Sequence, residues 1–115
     1  MYSNELVRGM LKTIILQLLG EEDKMYGYEL SKLVKERTES KIVITEGALY
    51  PILHKLEKDG LVTTTLDKVG NRTRKYYALT TSGEANARDK KSEMLDFLNT
   101  MKILMDPKSL ATFWS

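Results

Sequence analysis

The 115-residue sequence contains no cysteine. That excludes a disulfide framework, a thiol nucleophile and every zinc site built on thiolates. A single histidine, His54, excludes a histidine-rich metal site. No apolar run approaches the roughly 18 residues needed to cross a bilayer. Met1 to Glu5 carry no basic segment leading into an apolar one, so no signal peptide is expected and a cytoplasmic location is. Paired carboxylates, a Ser-His-acid order and a Gly-rich phosphate loop are missing, which argues against an enzyme. Gly70 and Gly83 stand as isolated turn glycines, and neither a cofactor nor a resident metal is expected. A large charge of one sign is lacking too: 18 Lys and Arg face 16 Asp and Glu, for a net +2.

What remains is 42% hydrophobic and 30% charged, enough to bury the core of one domain. Apolar residues at 6, 7, 10, 11, 14, 15, 16, 18 and 19 predict a first helix over Leu6–Leu19, with Ser3 or Asn4 as its cap and Gly20 as its stop. That stripe covers more than half the circumference, so the helix packs on two bodies, the second a candidate subunit. An acidic loop follows. A second helix is expected from about Tyr26 to Arg37, with Tyr26, Leu30, Leu33 and Val34 inward. After a polar turn and the β-branched stretch Ile42–Ile44, Thr45 caps a third helix from Glu46 to about Lys58. It stops at Asp59-Gly60.

From there the apolar period changes from 3.6 to 2. Leu61–Leu66 and Arg74–Leu79 read as strands joined by a turn at Val69-Gly70-Asn71. Thr80 or Thr81 caps a fourth helix, with Glu84 placed for a capping box. From Ser82 to Met105 this helix would be about 36 Å long. A domain of this size has a radius of gyration of only about 13 Å. Its far half must therefore project, carrying Met94, Phe97, Leu98, Met101, Leu104 and Met105. A second copy is the simplest cover, with Met10 and Ile14 of the first helix joining the interface. Asp106-Pro107 opens a short terminal helix with Leu110, Phe113 and Trp114 on one side.

On the third helix Leu49, Ile52, Leu53 and Leu56 form the core stripe. Opposite lie Gly47, Pro51, His54 and Lys58, flanked by Tyr50 and Lys55, with Thr45 at the cap. Small residues near the N-terminus and basic ones beyond suit a helix entering a DNA major groove. The hairpin turn adds Lys68, Arg72, Arg74 and Lys75 against one Asp67. Residues 31–80 hold ten basic against six acidic residues, while 1–30 sum to −2 and 81–115 to zero. The basic surplus thus falls on the helix and hairpin, a modest footprint of phosphate binding.

Three strings carry a resemblance. Tyr26-Gly27-Tyr28-Glu29-Leu30, the run from Glu46-Gly47-Ala48-Leu49-Tyr50-Pro51 through Asp59-Gly60-Leu61, and Arg72-Thr73-Arg74-Lys75-Tyr76-Tyr77 through Gly83 resemble the PadR family of bacterial transcriptional regulators. The likeness covers about residues 5–85. It implies a mainly α fold with a small β-hairpin: a winged helix-turn-helix over residues 1–81, then a long dimerisation helix and short terminal helix over 82–115. It further implies a homodimeric repressor of duplex DNA, with Tyr50, Pro51, His54 and Lys55 in the reading helix and Arg72, Arg74 and Lys75 in the wing. Ala48 stands where the family commonly has Thr or Ser, so no hydroxyl reaches DNA from there. Many such proteins release DNA when a small aromatic or hydrophobic effector binds near the dimer interface, where Phe97 is a candidate; no pocket is assigned. The competing reading is a winged-helix protein-interaction module that never touches DNA, for which a clustered basic wing would be superfluous.

Overall fold

The computed structural model describes residues 1–106 and 108. The elements run α1 Asn4–Arg8, α2 Leu11–Leu19, β1 Met25–Tyr26, α3 Gly27–Arg37, α4 Glu46–Lys58, β2 Val62–Val69, β3 Arg72–Leu79 and α5 Thr81–Met105. The apolar stripes of α2, α3 and α4 meet in one core: Ile15, Leu16 and Leu19, then Leu30 and Val34, then Leu49, Leu53 and Leu56. Val62 and Tyr77 close it from the sheet, Tyr77 only 2% exposed. Leu33 and Ile52, placed inward by the sequence, pack at the core's edge. This is the expected winged helix, mainly helical with a long C-terminal helix.

The expected first helix is two. Ser3 is the cap, its Oγ accepting from the Leu6 amide at 3.2 Å. At Gly9 and Met10, however, ψ lies near −14° and −11°, and the Met10 amide turns back to the Val7 carbonyl at 2.8 Å. Gly9 is the weak point, since glycine costs about 1 kcal/mol in a helix interior. Nothing in α1 is buried, whereas α2 buries five residues.

The sheet differs from the expectation in two ways. First, it has a third strand: β1 pairs antiparallel with β3, Met25 opposite Tyr77 and Tyr26 opposite Tyr76, giving the order β1-β3-β2. Second, β2 and β3 run on to Val69 and Arg72, which reduces the turn to Gly70 and Asn71. Gly70 has φ +64°, as the first central position of a II′ hairpin turn requires. Lys68, Arg72, Arg74 and Lys75 are therefore strand residues, and pleating divides them between two faces.

Thr80 caps α5, its Oγ1 accepting from the Gly83 amide at 2.9 Å. Glu84 lies one position too far along to complete a capping box. Gly83 is no incidental turn residue. A Cβ there would run into the Leu61 carbonyl oxygen and stand 3.0 Å from its carbon, so glycine lets α5 start directly against the chain entering the wing. One turn on, Ala87 is buried and its carbonyl accepts from Gln17 Nε2 at 2.6 Å. Past Ala87 nothing in α5 is buried, and the molecule extends 64 Å along its longest axis. Asp106 Oδ1 accepts from the Lys108 amide at 3.2 Å. Pro107, Leu110, Phe113 and Trp114 lie outside the described residues.

Candidate nucleic-acid interface

Thr45 opens α4 by accepting the Ala48 amide at 3.3 Å. Thr45 is thus engaged in capping, and the outer face of the helix begins at Gly47. Gly47, Tyr50, Pro51, His54, Lys55 and Lys58 are all exposed. Pro51 sits inside the helix, where it lacks an amide hydrogen and deprives the Gly47 carbonyl of its usual donor. Tyr50 does not stand straight out. Its phenol leans over the start of α3, so closely that a Cβ on Gly27 would lie 2.7 Å from Tyr50 Oη. Lys55 bends along its own helix to Asp59 Oδ1 at 3.0 Å.

Facing α4 is the hairpin. Leu66, Lys68, Thr73 and Lys75 share the face turned to the helix, and Asp67, Arg72 and Arg74 share the outer one. Lys75 Nζ stands 3.8 Å from Glu57 Oε1, and Thr64 Oγ1 donates to Glu57 Oε2 at 3.0 Å, which ties β2 and β3 to α4. On the outer face Lys24 bonds Asp67. That hydrogen bond raises the Lys24 ammonium above its ordinary pKa. The Arg74 guanidinium lies 4.5 Å over the Tyr26 ring. Burial pushes the Tyr77 phenol upward, so it stays protonated near neutrality.

Between α3, α4 and the hairpin lies a cleft of about 410 Å³ whose lining includes Tyr28, Tyr50, His54, Arg74 and Lys75. The structure thus gathers Tyr50, His54, Arg74 and Lys75 into one concavity, with Gly47, Pro51 and Lys58 beside it on α4. Lys68 and Arg72 sit apart, flanking the hairpin tip. Tyr28 is 63% exposed and stacked on Tyr26 at 6.4 Å, a placement open to the packing or phosphate contact that a tyrosine pair flanking a glycine at a helix start suggests.

Apart from that cleft, Met10, Met94 and Phe97 share an open groove of about 770 Å³ between α1–α2 and α5. Ile14 is half-buried against the core. Leu98, Leu104 and Met105 are exposed farther along α5, with Met101 half-buried between them. Leu95 is also exposed. Among the described residues no helix is long and apolar enough to cross a membrane.

Residues 15–89 match the transcriptional regulator PadR-like family. A protein of Lysinibacillus sphaericus is 32% identical over 92% of this chain and 97% of its own length. A PadR family transcriptional regulator from Eggerthella lenta superposes with a TM-score of 0.77 at 30% identity, covering 89% of this chain and 87% of that one. PadR of Bacillus subtilis, solved in complex with operator DNA, superposes with a TM-score of 0.63 at 31% identity over 70% of this chain. The match spans 44% of that longer protein.

Proposed function

This chain belongs to the PadR-like family of transcriptional regulators, a family of regulators rather than enzymes, and from that premise we propose that it is a homodimeric, sequence-specific DNA-binding repressor. The observation that carries this reading is the shared border of α4 and the hairpin, where the exposed Tyr50 and His54 of the helix and the wing residues Arg74 and Lys75 line one cleft. The Bacillus subtilis relative, solved on operator DNA, supports the same reading.

In this account residues 1–81 bind DNA and residues 82–115 dimerise. Each α4 enters a major groove, and the two grooves lie about 34 Å apart on one face of the duplex. Gly47 and Pro51 permit close approach, Tyr50 and His54 meet base edges, and Lys58 takes a phosphate. Lys68, Arg72 and Arg74 add backbone contacts that raise affinity without choosing sequence. The apolar residues of α5 recur at helical spacing from Met94 to Met105 and pair with those of a second copy. A small aromatic or hydrophobic effector would lodge in the groove beside Met10 and Phe97, and by changing how the α5 helices cross would change the spacing of the readers.

Substitution tests the division of labour. Tyr50→Ala is expected to weaken binding to the duplex upstream of the protein's own gene far more than to a scrambled duplex. Arg74→Ala is expected to weaken both about equally. Equal losses for Tyr50→Ala would remove that residue from base readout.

A further inference from the structure

Asp67 and Arg74 lie directly opposite each other on β2 and β3, on the outer face of the wing. Opposite charges so placed have Cβ atoms about 5 Å apart and ordinarily join. Here they do not. Asp67 is bonded to Lys24, from the loop before β1, and among the described residues Arg74 makes no ion pair. Its guanidinium rests instead on the Tyr26 ring at 4.5 Å.

The arrangement closes on itself. Tyr26 meets the Tyr76 ring edge-on at 5.5 Å, and Lys24 Nζ lies 4.7 Å from the Tyr76 centroid. The Tyr26 backbone is fixed by pairing with Tyr76 and by donation of its amide to Glu29 Oε1 at 3.1 Å. The choice of partner matters chemically. A carboxylate would take guanidinium N–H donors in a bidentate fork, whereas an aromatic face holds the cation and leaves those donors open.

We propose that Lys24 and Tyr26 are positioning residues for Arg74: Lys24 keeps Asp67 occupied, so that the guanidinium stays on the Tyr26 ring with its donors free for a phosphate oxygen of the DNA backbone. The inference rests on the DNA-binding reading above. It makes Lys24 act chiefly through Asp67 rather than as one more cation.

A double-substitution cycle tests it, read by the Arg74 Nε–Hε resonance in the free protein and by binding to a scrambled duplex, with thermal melting to show that each variant folds. Lys24→Gln is expected to move the resonance off its ring-shielded position and to weaken binding roughly three- to tenfold. In an Asp67→Asn background the same substitution should leave the resonance in place and cost no more than about twofold, as for a lost surface charge. Tyr26→Phe should behave as the parent, and Tyr26→Leu should lose both the shielding and the affinity. Equal losses for Lys24→Gln in the two backgrounds, with DNA binding intact, would overturn the positioning role alone. Failure of the unsubstituted protein to bind any duplex would overturn the DNA-binding reading itself.

Discussion

Two glycines, each at a helix start, show how differently one residue type acts at two sites. Gly83 faces backbone: an added methyl meets the Leu61 carbonyl, which cannot turn aside without disturbing the Thr80 amide that donates to it at 3.0 Å. Gly83→Ala is therefore expected to cost about 2 kcal/mol, as overpacking of a rigid contact does, read by urea denaturation. Gly27 faces the movable end of Tyr50. Gly27→Ala should change stability by less than about 1 kcal/mol yet shift the phenol and weaken sequence-specific DNA binding. The reverse pattern, an intact Gly83→Ala and an unfolded Gly27→Ala, would contradict both assignments. The sequence does not disclose either contact. Gly83 sits in a string of small and polar residues, and its neighbour Leu61 is reached only after the wing has folded back.

At the scale of elements, α4 was readable because three signals agree: a capping Thr45, an apolar stripe of period 3.6 and a glycine at φ +75° after the end. The wing was readable in kind and not in extent. Apart from Val69 its distal residues are polar on both faces, so alternation fades at Leu66 while backbone pairing continues to Val69. Strand β1 is two residues long and borrows its partner from distant sequence, which leaves no periodic trace. The break between α1 and α2 was written in Gly9 but outweighed by the unbroken apolar pattern around it. Within α4, Pro51 violates helix propensity on an exposed face, the kind of local cost retained at functional surfaces. Pro51→Ala is expected to raise stability by about 1 kcal/mol or more while weakening binding to the upstream duplex. Calorimetry and a binding titration on the same sample check this; a gain in stability with unchanged binding would take Pro51 out of the interface.

At the scale of the whole molecule, simple length arithmetic already implied that the last helix outruns its domain; beyond Ala87 no residue of α5 is buried, although Met94 and Phe97 still line the groove against α1–α2. Which residues cover it was less legible, because a broad apolar stripe does not say which part meets the parent core and which a partner. Met94 and Met101 are half-buried in the single chain, while Leu98 and Leu104 are exposed, Leu104 by 64%. Leu98→Glu is expected to yield a folded monomer in sedimentation, with DNA affinity reduced because two readers no longer bind as one unit. A dimer undisturbed by that change would move the interface elsewhere.

If the border of α4 and wing grips duplex DNA, affinity must fall steeply with added salt, and a salt titration reads this. Lys24, Lys55 and Lys75 already face carboxylates. Lys58, Lys68, Arg72 and Arg74 remain in each protomer, so a dimer that commits them all would show a slope of log affinity against log salt of about −7. Tight binding to the duplex upstream of the gene, weaker binding to a scrambled one, and a steep slope for both are expected. Weak, equal and salt-insensitive binding to the two duplexes would contradict that grip on DNA.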